Sequence, residues 1–268
     1  MSAIDTLFHR LRASGQKAFI PFVAAGDPDL EFTEAVLREL ASRGSSLCEL
    51  GLPYSDPIAD GPVIQSSYAR ALASKIHIAD IFQMVRRVAP RLSAPLVAMQ
   101  SYAIVYRYGT SRFVERARES SLAGLIIPDL PVEECREVAQ HCAAADLSLI
   151  QLVTPTTPRE RAVRIAESTT GFIYYVSVTG ITGERTELPS ELVESVAWLR
   201  ERTPLPICIG FGISKPEHIR MLSGVADGFI VGSAIVRRIA RASEASHEEV
   251  LRDVGDYAAS LIAAARQS

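Results

Sequence analysis

Residues 18–52, AFIPFVAAGDPDLEFTEAVLRELASRGSSLCELGL, hold the unit that repeats along the whole chain. The segment opens on an apolar run at 18–24 and closes on another at 47–52. Between them Phe32, Ala35, Val36, Leu37 and Leu40 recur at spacings near 3.6, which predicts a helix over 30–43. Apolar runs that do not alternate with polar residues read as parallel strands buried on both faces. Six more follow, at 95–101, 123–127, 147–153, 172–177, 206–209 and 228–231. Helical patterns lie between them at 78–91, 112–120, 131–145, 158–167, 190–202, 216–222 and 234–241. Pro131, Pro158 and Pro216 stand near helix starts, where a missing N–H is tolerated. Val250, Leu251, Val254, Tyr257, Ala258, Leu261 and Ile262 make a final apolar stripe, and Ile4, Leu7, Phe8 and Leu11 share one face of a short first helix. Eight strand–helix units predict an α/β fold, a single (β/α)8 barrel with an extra N-terminal helix, spanning 1–268 as one domain. A doubly wound open sheet is the alternative. A chain of 268 residues suits one such barrel.

Composition narrows the chemistry. Lysine plus arginine number 28 against 31 acids, so no global charge attracts nucleic acid or an anionic membrane. No stretch of 18 apolar residues is free of charge, and the first residues lack the apolar core of a signal peptide. The expected location is the cytoplasm. Cys48, Cys135, Cys142 and Cys208 show no CxxC spacing, so neither a zinc site nor a redox pair is expected. Cys48 and Cys208 lie in apolar runs and read as buried thiols. Asparagine is absent, which excludes N-glycosylation. The three lysines, Lys17, Lys75 and Lys215, do not lie at C-terminal strand ends, where a Schiff-base lysine would have to stand. His9, His77, His141, His218 and His247 fall in helices or loops away from the strand ends, most of them on the surface, so no metal cluster is expected.

In a barrel the functional residues gather just after the strands. After the second run comes ELGLPYSDPIADGP, residues 49–62. Glu49 is embedded in an apolar strand, where desolvation raises a carboxyl's pKa toward that of a general acid–base. Asp56 or Asp60 in the following loop could accept a hydrogen bond from a substrate. Tyr174 lies inside the sixth run and needs a partner for its hydroxyl. The segment after it, SVTGITGERT (177–186), has the glycines and small hydroxyls of a loop that closes over substrate. Gly210-Phe211-Gly212 and Gly232-Ser233-Ala234 each lead into a helix at adjacent strand ends, an arrangement suited to a phosphate. With lysine and histidine excluded, acid–base work falls to Glu49, Asp60, Tyr174 and, as a further candidate, Asp129.

The 49–62 stretch resembles the diagnostic segment of the tryptophan synthase α subunit family. The resemblance runs in order from about Phe19 to Val236, through PFVAAGDP (21–28), IPDLP (127–131) and the loops after runs six to eight. It implies a retro-aldol cleavage of indole-3-glycerol phosphate to indole and glyceraldehyde 3-phosphate, within tryptophan biosynthesis. By the same resemblance Glu49 would be the acid–base, Asp60 the acceptor of the indole N–H, and Tyr174 the tyrosine near the glycerol chain. Phe22, Ile64 and Phe211 would line the indole pocket, and Thr182 would close beside Asp60. Gly183, Gly212, Gly232 and Ser233 would cradle the phosphate. No metal and no cofactor is implied in this chain; pyridoxal phosphate would belong to a partner β subunit, in an αββα heterotetramer. One segment departs from the family: Ser101 and Ala103 stand where a tyrosine and an asparagine are usual.

Overall fold

The computed structural model describes residues 2–58, 60–177, 190–210 and 212–266. Its elements run α1 (Ala3–Ala13), β1 (Ala18–Ala24), α2 (Leu30–Ser42), β2 (Cys48–Gly51), α3 (Pro62–Ala73), α4 (Ile78–Val88), β3 (Leu96–Met99), α5 (Tyr102–Tyr108) and α6 (Thr110–Glu119). There follow β4 (Gly124–Ile126), α7 (Arg136–Ala144), β5 (Ser148–Ile150), β6 (Leu152–Val153), α8 (Arg159–Ser168), β7 (Ile173–Val176) and α9 (Ser190–Arg200). The last are β8 (Ile207–Gly210), α10 (Pro216–Leu222), β9 (Gly228–Val231), α11 (Ser233–Ile239) and α12 (His247–Arg266).

Every strand pairing is parallel, in the order β5-β4-β3-β2-β1-β9-β8-β7-β6. Only Gln151 separates β5 from β6. The first half of this segment pairs with β4 and the second with β7, and the Gln151 carbonyl accepts from the Tyr174 N–H at 3.1 Å. The run at 147–153 is therefore one stave that closes the sheet on itself. Eight predicted strands give eight staves of a closed (β/α)8 barrel, and the open-sheet alternative falls.

The apolar core has two main layers. One lies between strands and helices and takes Val23, Cys48, Leu50, Ala98, Leu125 and their outward-facing neighbours. The other fills the barrel with Ala18, Ile20, Val97, Ile126, Ile150, Cys208 and Ile230. Strand alternation sends residues i and i+2 to the same side, so Glu49 and Gly51 point inward while Cys48 and Leu50 point out. All four cysteines are buried and unbridged.

Helix α1 stoppers the N-terminal end of the barrel. Ser2 caps it, accepting from the Asp5 N–H while the Asp5 carboxylate accepts from the Ser2 N–H. Ile4, Leu7, Phe8 and Leu11 are all buried, and the Phe8 ring lies 5.6 Å from that of Phe172. Each such side chain contributes about 1.5–3 kcal/mol by leaving water. Gly124 and Gly171 make the fit: a Cβ on either would stand within 3.2 Å of the Ile4 side chain.

The structure departs from the sequence reading in three places. Helices α3 and α5 are not among the periodic segments, and the helix expected from 131 begins at Arg136, after a turn in which the Glu134 N–H donates to the Pro131 carbonyl. No helix among the described residues is long and apolar enough to cross a membrane.

Candidate active site

Glu49 pairs in register with Phe22 of β1 and Val97 of β3, which puts its side chain inside the barrel. It is 1% exposed, and neither carboxyl oxygen has a hydrogen-bond partner among the described residues. Burial pushes its carboxyl up to about 8, and the nearby charge of Asp60 adds to the effect. An acid in that state is protonated at neutral pH and still able to release its proton.

The loop after β2 places its two aspartates differently. Asp56 is exposed and accepts from the Ser55 hydroxyl at 2.7 Å. Asp60 turns back toward Glu49, and its Oδ2 accepts from the Tyr54 hydroxyl at 3.4 Å. Partial burial raises the Asp60 carboxyl and the Tyr54 hydrogen bond opposes that rise. The Gln65 side chain pins the loop by donating to the Asp60 carbonyl at 2.8 Å. Phe22, Ile64 and Tyr68 pack together beside the pair, with Ala24 and Val236.

Tyr174 stands on β7 across the barrel. Its hydroxyl is driven well above its usual range by burial first, then by Glu49 and Asp60, so it faces the same two carboxyls. Gly210 of β8 makes room for it, since a Cβ there would meet the Tyr174 ring and hydroxyl at 2.7 Å. Gly212 follows at φ +76, a conformation that favours glycine. Gly232 precedes α11, and Ser233 is the first residue of that helix, so the helix's unbonded first N–H groups point toward the strand ends. His218 is a buried exception among histidines expected mostly at the surface: its Nδ1 accepts from the Ser214 N–H at 3.3 Å, which ties down the loop after β8. Phe211, Thr182 and Gly183 lie outside the described residues, as does most of the expected closing loop.

Asp129, the further acid–base candidate, is engaged in a clamp at the end of β4. It accepts from the Ser101 hydroxyl at 2.6 Å and from the Tyr102 N–H at 2.7 Å, so it clamps the start of α5. Ser101 is also the N-cap of that helix. The serine at the departing position thus fastens the end of β3 to the end of β4. A second clamp joins the β1 loop to α3: Arg70 grips Asp27 through two bonds of 2.8 and 2.7 Å. Sequence reasoning missed Tyr54, Tyr68 and Arg70. The first two sit within or beside the diagnostic segment, and a tyrosine next to two inward carboxylates was the available signal. Among the described residues no group of three or more His, Cys, Asp or Glu is placed to hold a metal.

A family model described as "Tryptophan synthase alpha chain" matches residues 8–265. The chain belongs to the tryptophan synthase alpha chain family. The tryptophan synthase alpha chain of Rhodopirellula baltica is 49% identical to it, over 97% of this chain and 98% of that one. That of Caldanaerobacter subterraneus is 43% identical, over 97% and 98%. Among solved structures, tryptophan synthase subunit alpha of Legionella pneumophila superposes with a TM-score of 0.90 at 34% identity, over 98% of each chain. A tryptophan synthase structure from Mycobacterium tuberculosis gives 0.88 at 27% identity, over 99% of this chain and 98% of that one. Membership in the tryptophan synthase alpha chain family makes the protein a lyase of tryptophan biosynthesis acting on indole-3-glycerol phosphate.

Proposed function

We propose that Glu49 and Asp60 carry the cleavage of indole-3-glycerol phosphate in this chain. Protonated Glu49 gives its proton to C3 of the indole ring. The resulting carboxylate takes the proton of the glycerol hydroxyl next to the scissile bond. The C–C bond then breaks, its electrons return to the ring, and indole and glyceraldehyde 3-phosphate leave with Glu49 protonated again. Asp60 accepts the ring N–H and offsets the positive charge that C3 protonation creates. Tyr174 orients the glycerol chain, and Phe22, Ile64 and Phe211 hold the ring. The backbone at Gly183, Gly212, Gly232 and Ser233 holds the phosphate, and Thr182 closes beside Asp60. The observation that carries this reading is the buried Glu49 carboxyl, raised to about 8 and facing Asp60. No metal and no cofactor enters these steps.

The same proposal includes a partner. Ile58, 93% exposed, follows β2, and Tyr106, 72% exposed, lies on α5 after β3. The segments after two adjacent strands thus present two large apolar side chains on the mouth side of the barrel, a pattern that fits a docking surface. The partner is a β subunit that carries pyridoxal phosphate and receives the indole, in an αββα heterotetramer of the cytoplasm. The test is indole release from indole-3-glycerol phosphate by the purified chain, with β subunit titrated in. Turnover that rises with β subunit supports both parts. No turnover at any ratio overturns the catalytic part, and turnover indifferent to β subunit overturns the partner.

A further inference from the structure

We infer that Tyr257 is a positioning residue for the substrate phosphate: it fixes residues 212–214, after β8, against helix α11. The inference rests on the phosphate contacts proposed above at Gly212, Gly232 and Ser233. Gly212 takes the left-handed region at φ +76, and the chain reaches an extended Lys215 before Pro216 starts α10. Both backbone polar groups of Ser214 are taken by side chains. Its N–H donates to Nδ1 of the buried His218 at 3.3 Å, and its carbonyl accepts from the Tyr257 hydroxyl at 2.9 Å. His218 lies only four residues on, in α10, so its grip is local. Tyr257 lies 43 residues on, in α12, and ties the segment to a separate element.

The ring of the same tyrosine meets α11. The Arg238 guanidinium lies 3.5 Å from its centroid, an attraction that keeps the ring from swinging. Arg238 Nη1 also donates to the Ala234 carbonyl at 2.9 Å. Ala234 follows Ser233, so Arg238 reaches back to the first turn of α11, beside the proposed contacts at Gly232 and Ser233. Arg238 Nε stands 3.7 Å from the Asp253 carboxylate, one turn before Tyr257 on α12. Tyr257 thus holds one segment by its hydroxyl and the other through its ring. A phosphate that accepts from N–H groups of both segments depends on their spacing, because such bonds are made at about 2.7–3.2 Å. With its hydroxyl engaged by the Ser214 carbonyl, Tyr257 acts through the backbone.

The test is Tyr257→Phe in the full chain, which removes the hydroxyl and keeps the ring under Arg238. Glycerol 3-phosphate is the probe, titrated while the Gly212 and Ser233 amides are followed by 1H–15N NMR. Both wild-type amides should shift, and the variant should bind about fivefold more weakly, the usual yield of one neutral hydrogen bond. KM for indole-3-glycerol phosphate should rise by a similar factor with kcat little changed. Arg238→Met takes the cation off the ring and should weaken the ester as well. An ester that leaves either amide unmoved in the wild type overturns the phosphate placement, and this inference with it. An ester that shifts both amides but binds Tyr257→Phe with unchanged affinity overturns the inference alone. A lower melting temperature in that variant would then mark the tyrosine as structural. A loss confined to kcat also overturns it. Weakening by Tyr257→Phe without weakening by Arg238→Met overturns the link to α11.

Discussion

Replacing Glu49 by glutamine should leave a protein that is more stable, inactive, and stabilised by an amount that depends on pH. The wild-type carboxyl is buried without a partner among the described residues and titrates at about 8, against 4.5 as its ordinary value. Between those values the folded chain keeps a proton that the unfolded chain has released, so rising pH favours unfolding. The raised acid contributes no penalty below about pH 4. Its penalty grows by about 1.4 kcal/mol for each pH unit across the window and levels off above the folded pKa. The cost is under about 1 kcal/mol at pH 5 and reaches roughly 5 kcal/mol at pH 9. That is comparable to the whole stability of a marginal domain, about 5–15 kcal/mol. Glutamine has the shape of the neutral acid and leaves the same buried polar atoms without partners, so the two proteins should nearly coincide at pH 5. Urea unfolding of both, at intervals from pH 5 to 9, measures the difference directly. Curves that stay parallel over that range would refute the claim that burial holds Glu49 neutral. The same variant should lose far more than tenfold in indole release; a smaller loss, under about 1.4 kcal/mol of barrier, would remove Glu49 as the principal acid–base.

Asp60→Asn should lower turnover and also bring the Glu49 titration down from about 8, since the neighbouring charge that raises it is gone; 13C NMR of the Glu49 carboxyl checks this. Ser101→Ala removes the cap of α5 and one of the two bonds to Asp129, and should cost about 1 kcal/mol in thermal unfolding. Arg70→Met leaves Asp27, 1% exposed, without its partner. Because Arg70 itself is 36% exposed, the expected loss in urea unfolding is about 2–3 kcal/mol, below that for a wholly buried pair.

The barrel was legible because its strands are buried on both sides and its outer helices on one. Both conditions write themselves into a sequence as runs and stripes. Helices α3 and α5 escaped for the complementary reason. In α3 the inward face carries Ile64, Ser67, Tyr68 and Ala71, a mixture of sizes and polarities that serves a site and blurs the stripe. In α5 the sequence YAIVYRY is rich in aromatic and β-branched residues, and only Val105 is buried. Glu49 was readable because a charge in an apolar strand is conspicuous. The clamp at Asp129 was not legible because its partner, Ser101, is 28 residues away, and nothing local announces the bond between them. The bend at Gln151 likewise depends on which neighbours each half of the stave meets.

Gly51 and Gly210 carry a consequence for altering the range of ring systems the enzyme accepts. Each lies under an aromatic side chain from a neighbouring element, Phe22 and Tyr68 over the first and Tyr174 over the second. Methyl groups at these glycines would not fill empty space; they would lever a ring off the wall. The dimensions of the chamber are therefore held by the rings, with the glycines as the seats they rest in. Variants meant to admit a bulkier indole should trim Phe22 or Ile64 and leave both glycines alone, and libraries that randomise Gly51 or Gly210 should return almost nothing but glycine.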